Sequence, residues 1–135
     1  MARRLILDTN VLIDYERGQL DQAALDDDEL AIAAITVAEY RTGIELADSV
    51  ERAAARSRAL ALITETIEVL DYTEVTAAHH ARLIAHTRRS GRVRGAHDLV
   101  IAAHAAQTGR VVLSRDAVAR FGDLPGVIAE EPAGR

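Results

Sequence analysis

Four carboxylates stand out by their place in the hydrophobic pattern. Asp8 closes the apolar run Leu5-Ile6-Leu7, and Asp98 precedes the run Leu99-Val100-Ile101-Ala102-Ala103. Glu39 follows a second apolar run and Asp116 a third, Val111-Val112-Leu113-Ser114-Arg115. Acids sharing one site repel: two unit charges about 4 Å apart cost roughly 4 kcal/mol at an effective dielectric near 20. Either protons or a cation must separate them. With no Cys and no His pair at ligand spacing, an all-oxygen donor set favours Mg²⁺ or Mn²⁺ over zinc. Such an ion polarises a phosphoryl oxygen and generates hydroxide from water, without a protein nucleophile. That is the chemistry of phosphodiester hydrolysis.

The surrounding elements must bring these acids together. Arg4 to Asp8 reads as a short buried strand ending in an acid, and carrying that acid into the interior is costly without a partner. Thr9 or Asn10 caps a helix that stops at Gly18, with a second short helix near Asp21 to Asp26. Glu29 to Ile35 is a second continuous apolar strand, and Thr36 opens the next helix. A long Ala/Arg helix spans Ser49 to Ile63, Ile67 to Leu70 is a third strand, and Thr73 to Arg89 is a helix. Ser90 to Ala96 reads as a loop. His97 to Thr108 is a helix ended by Gly109, Val111 to Ser114 a fourth strand, and a short helix runs on to Phe121. Gly126 to Ala129 is an edge strand fenced by Pro125 and Pro132. Strands alternating with helices predict a single α/β domain over residues 1–135, with a central, mostly parallel sheet of four or five strands. Ligands of such sheets bind beyond the carboxyl ends of the strands, where all four acids would lie.

Composition sets the boundaries. The chain has 135 residues, 49% hydrophobic and 27% charged, the profile of one globular domain. Aromatics are 3%, too few for a base-stacking platform. Absence of Cys excludes disulfides and thiol catalysis. All 16 basic residues are Arg, so neither a P-loop nor a receiver-type acidic site can have its Lys. No apolar run is long enough to cross a bilayer, and Asp8 interrupts the first too early for a signal-peptide core. A cytoplasmic location is the expectation. At net charge −5, any nucleic acid must dock on a local basic patch.

Each acid also has a plain structural reading. Thr36-Val37-Ala38-Glu39 has the spacing of a capping box, so Glu39 can be explained as a cap. Asp98 suits a helix N-terminus on its own account. Gly43, in mid-helix, costs about 1 kcal/mol against Ala, and close backbone approach is the expected reason.

In order along the chain stand Asp8-Thr9-Asn10, Glu39 with Gly43, Asp98-Leu99-Val100-Ile101-Ala102-Ala103, and Leu113-Ser114-Arg115-Asp116 with Phe121. This set resembles the PIN-domain ribonucleases, and in length and detail the VapC-type toxins of bacterial toxin–antitoxin pairs. The resemblance implies a PIN-like three-layer α/β/α sandwich that cleaves RNA, possibly tRNA or rRNA. It implies Asp8 and Asp98 as principal metal ligands, with Glu39 and Asp116 as supporting acids. Thr9, Asn10 and Ser114 would orient acids or water. A VapB-type antitoxin would block the site, and the toxin would be a homodimer.

Arg88, Arg89, Arg92 and Arg94 cluster just before Asp98. Two readings stay open: they hold RNA phosphates at the mouth of the site, or they form a solvated helix end. The five His residues form no metal pair, and packing or surface roles are expected for them. A haloacid-dehalogenase-like phosphatase also opens on a strand ending in Asp. It needs a second Asp where Asn10 stands, and a Lys this chain lacks. A non-catalytic RNA- or antitoxin-binding module with a structural ion is the remaining alternative.

Overall fold

The computed structural model describes residues 2–116 and 119–133. Five strands form one sheet: β1 (Arg4–Leu7), β2 (Glu29–Ala33), β3 (Glu68–Leu70), β4 (Val111–Leu113) and β5 (Ala129–Glu130). Their order is β3-β2-β1-β4-β5, and every pairing is parallel. Five helices connect them: α1 (Thr9–Glu16), α2 (Ala34–Glu45), α3 (Val50–Thr66), α4 (Glu74–Ser90) and α5 (Ala96–Thr108). Short 3₁₀ turns lie at Gln22–Leu25 and Phe121–Asp123.

The period of two along β1 explains the layering. Leu5 and Leu7 pack with Val11, Leu12, Tyr40, Leu60 and Ile63, from α1, α2 and α3. Ile6 points the other way, to Leu83, Leu99, Ile101 and Ala102 of α4 and α5. Both faces of the sheet are therefore covered, which is why its strands read as unbroken apolar runs. The result is the expected three-layer α/β/α sandwich.

Several boundaries differ from expectation for identifiable reasons. Asp8 itself, not Thr9 or Asn10, caps α1: its carboxylate accepts the Thr9 backbone N–H at 2.8 Å. β2 ends at Ala33, and α2 begins directly at Ala34, without a side-chain cap. The predicted capping box at Thr36 therefore does not form. Thr36 lies inside the helix, fully buried, and its hydroxyl has no partner among the described residues. Ser49 caps α3, which continues to Thr66, and Thr73 caps α4 in a reciprocal box with Thr76. The buried positions of α4 are Thr76 and Leu83, while Ala81 is exposed. The short helix expected before Phe121 includes Ala117 and Val118, which lie outside the described residues. The edge strand forms at Ala129–Glu130, slightly later than the Gly126 to Ala129 expected.

The chain order reverses between β1 and β4, so crossovers leave in opposite directions there. A crevice opens beyond the strands at such a switch point. Asp8 and Ser114 are the first residues past β1 and β4. Asp8 N–H still bonds Leu113 O at 3.0 Å, and Ser114 N–H bonds Glu130 O at 3.0 Å. Both residues thus leave the sheet with their backbones fixed by its ladder.

Candidate active site

Asp8 is the most constrained of the acids. It is 5% exposed, and both of its carboxyl oxygens are engaged. Oδ1 accepts from Thr9 N–H at 2.8 Å, and Oδ2 accepts from the Ser114 hydroxyl at 2.8 Å. Burial pushes its pKa above the usual carboxylate range, and the charges of Asp116 and Glu39 push the same way. The two hydrogen bonds oppose this by favouring the ionised form.

Ser114 is buried and serves two acids. While donating to Asp8, its Oγ accepts the Asp116 backbone N–H at 3.0 Å. The Asp116 carboxylate in turn accepts from Ala119 N–H at 3.2 Å. Arg115 reaches back to Asp14 on α1 at 3.4 Å, tying the turn that carries Asp116 to the helix that follows Asp8.

Glu39 sits in α2, half-buried. Its Oε1 accepts from the Thr9 hydroxyl at 3.0 Å, and its Oε2 lies 3.5 Å from His97 Nδ1. Glu39 is therefore not a helix cap; it faces residues of α1 and α5. From sequence, a surface or packing role is the default for His97, with substrate contact beside Asp98 the alternative; the pairing with Glu39 is visible only in three dimensions.

Asp98 lies in the first turn of α5. Burial is the largest cause raising its pKa to about 6, followed by the charges of Asp8, Asp116 and Glu39, with His97 opposing. The structure thus brings all four acids within mutual electrostatic reach. Asp98 also depends on its neighbour: a Cβ at Gly95 would stand 2.9 Å from Asp98 Oδ2. In the sequence, Gly95 is marked only as a glycine ending a loop three residues before an acid.

The helix ends help the acids coexist. Asp8 caps α1, and α5 carries Asp98 in its first turn. The partial positive charge of a helix N-terminus favours carboxylates within a turn of it. Neither α2 nor α5 has a side-chain cap.

Other expected residues fall elsewhere. Asn10 is exposed and, among the described residues, makes no hydrogen bond to these acids. Arg88 and Arg89 are exposed in the last turn of α4. Arg92 NH1 approaches Asp123 at 3.5 Å, and Arg94 NH1 donates to the carbonyls of Ala119 and Arg120. Gly43 is not a point of close approach, because a Cβ there would meet open space. It lines a cavity of about 410 Å³ with Thr9, Glu39, Ile13, Tyr40 and Arg56, and Arg56 NH1 donates to its carbonyl.

Among the described residues, no three His, Asp or Glu side chains are drawn into a formed metal cluster. The oxygens of Asp8 and Glu39 meet hydroxyl and backbone amide donors. The donor chemistry fits a hard divalent cation: carboxylates with hydroxyls behind them, of which Asp8 and Asp98 are raised in pKa. No helix among the described residues is long and apolar enough to cross a membrane.

Comparison with known proteins places the fold in a family. Residues 5–124 match the model of the PIN domain. Ribonuclease VapC5 of Mycobacterium tuberculosis is 36% identical over 88 residues. That stretch is 64% of this chain and 64% of the ribonuclease's own length. Among solved structures, VapBC-5 of Mycobacterium tuberculosis, a member of the VapBC family of toxin–antitoxin systems, superposes with a TM-score of 0.76. It is 32% identical, with 96% of this chain and 98% of that one covered. VapBC2 of Rickettsia felis, solved on a DNA fragment from its promoter, shares the fold at TM-score 0.81. It is 20% identical over 95% of this chain and 98% of that one. The chain therefore belongs to the PIN-domain family, with its likeness on the side of the VapC-type members.

Proposed function

We propose that the chain is a divalent-metal-dependent endoribonuclease, the toxin of a VapBC-type pair, and that it hydrolyses RNA phosphodiesters with water as nucleophile. The observation that carries the reading is the coupling of Asp8, Glu39, Asp98 and Asp116 at the sheet's switch point. Asp8 and Asp98 would hold Mg²⁺, or Mn²⁺ in its place, with Glu39 and Asp116 beside them. When bound, the ion supplies charge for the phosphoryl oxygen and eases loss of a proton from water.

The chain's own residues do the rest. Ser114 fixes the Asp8 carboxylate and the Asp116 backbone through one oxygen. Thr9 holds Glu39 in place from the first position of α1. Gly95 leaves room for the Asp98 carboxylate. Hydrolysis then breaks the bond from phosphorus to the 3′ oxygen. Water oxygen remains on phosphorus, giving a 5′-phosphate and a 3′-hydroxyl.

The relatives' names support the partner reading: VapBC-5 is a member of the VapBC family of toxin–antitoxin systems, and VapC5 is a ribonuclease. By analogy, a VapB-type antitoxin covers this site, and the cavity adjoining Thr9 and Glu39 gives a partner segment room to reach it. Self-association into a homodimer and a cytoplasmic location belong to the same reading.

The test incubates purified protein with RNA in Mg²⁺, Mn²⁺ or EDTA and determines the chemistry of the product ends. The reading expects ion-dependent cleavage leaving 5′-phosphates. Cyclic 2′,3′-phosphate ends that persist in EDTA would contradict it, since they signal attack by the RNA's own 2′-hydroxyl.

A further inference from the structure

Arg120 is the one non-glycine residue with positive φ among the described residues, at φ 50°. A left-handed backbone is disfavoured for a residue with a Cβ, which crowds the following carbonyl oxygen. Neighbouring arginines and an aspartate hold the turn in that shape. Arg94 NH1 donates to the carbonyl of Ala119 at 2.6 Å and to that of Arg120 at 2.8 Å. Arg120 Nε lies 2.9 Å from Asp123 Oδ2, and Arg92 NH1 approaches the same oxygen at 3.5 Å. Three guanidiniums are thus organised around a single turn.

That turn separates two hollows. The first, of about 220 Å³, is lined by Ser114 and Asp116 of the candidate site, by Glu130 and Glu131, and by Arg120. The second, of about 520 Å³, is lined by Arg92, Arg94, His86, Ser90 and Asp123, and again by Arg120. Arg120 is their common wall. The chain as a whole carries −5, so this concentration of cations is local. Planar guanidiniums at fixed spacing suit phosphate oxygens, and with 3% aromatics the protein has little with which to stack bases.

We propose that this arginine-lined hollow is the track of the RNA backbone as it leaves the carboxylate site on the β4 side. Arg120 and Arg92 contact phosphates, and Arg94 is a positioning residue that fixes their turn. The proposal rests on the nuclease reading and adds where the substrate runs. An acidic peptide is the other class of polyanion. The shared wall with Asp116 favours RNA, because a strand held in the track continues directly to the acids.

The test compares wild type with Arg92→Gln, Arg120→Asn and the double variant. Asn tolerates the left-handed region, so the turn is kept. Binding of a short fluorescent single-stranded RNA is measured in Ca²⁺ across a salt series, and cleavage kinetics in Mg²⁺. The expected result is Kd and KM weakened about tenfold in the double variant, with kcat within about twofold of wild type. Each substitution should also reduce the salt slope by about one. Unchanged RNA affinity and salt slope would overturn the track. So would variants that keep RNA affinity but lose binding of a poly-glutamate probe titrated alongside, which would mark an acidic-peptide site. Wild type that binds RNA without cutting it would remove the nuclease reading, while the binding comparison still decides the track.

Discussion

The Ser114 hydroxyl donates to Asp8 Oδ2 at 2.8 Å, joining the ends of the two strands that flank the sheet's switch point. Its removal leaves a buried carboxylate short of a donor, which costs about 1–3 kcal/mol. Ser114→Ala should therefore lower stability at neutral pH by that order and slow RNA cleavage at least tenfold. Because the bond favours the ionised form, the Asp8 pKa should move further up. The stability loss should accordingly shrink in acid, where Asp8 is protonated. Chemical denaturation at several pH values reads this; a loss independent of pH would show that the bond does not act on ionisation.

Asp98 carries the opposite sign from an ordinary surface acid. Its folded pKa is raised to about 6 from the ordinary 3.8. Between those values the folded state binds more protons, so its contribution to stability falls as pH rises through that window. Without divalent ion, Asp98→Asn should melt higher than wild type at pH 7 and show little advantage near pH 4. The same variant should lose cleavage. Thermal melts in EDTA at the two pH values decide it, and a variant less stable at pH 7 would contradict the repulsion argument.

His104 titrates with the reverse consequence. It is 1% exposed, its ring nitrogens have no hydrogen-bond partner among the described residues, and its pKa is lowered chiefly by burial. Folding therefore disfavours its protonation, and stability is lost as pH falls below its unfolded value, near 6.5. His104→Leu removes this dependence. Its melting temperature should fall less between pH 7 and pH 5 than that of wild type; parallel curves would count against a buried neutral imidazole.

Two glycines should behave differently. Gly95→Ala brings a methyl within 2.9 Å of the Asp98 carboxylate, so cleavage should drop severalfold with little change in melting temperature. Gly43→Ala meets open space in mid-helix and should stabilise by up to about 1 kcal/mol. Equal effects of the two on cleavage would show that space at Gly95 is not what matters.

The strands, their parallel order at one edge and the acids following them were legible because buried parallel strands are short and unbroken in sequence. Asp8 and Ser114 could be placed from that pattern alone. Glu39 could not: its spacing from Thr36 mimics a capping box, and only the early start of α2 at Ala34 removes that explanation. The partnership of Glu39 with Thr9 and His97 joins three helices and leaves no local trace. Arg120 was equally silent, because nothing in its neighbours announces a left-handed turn. Arg94 was legible as a cation but not as a clamp on backbone carbonyls.

The central claim is that these carboxylates, with a divalent ion, cut RNA. The most direct measurement is cleavage of RNA by wild type and Asp8→Asn across a Mn²⁺ titration, with an EDTA control. Asn cannot supply the charge that Asp8 brings to the ion, so the variant should be at least a hundredfold slower at every concentration, and wild type should be silent in EDTA. Cleavage that ignores both EDTA and Asp8→Asn would contradict the account.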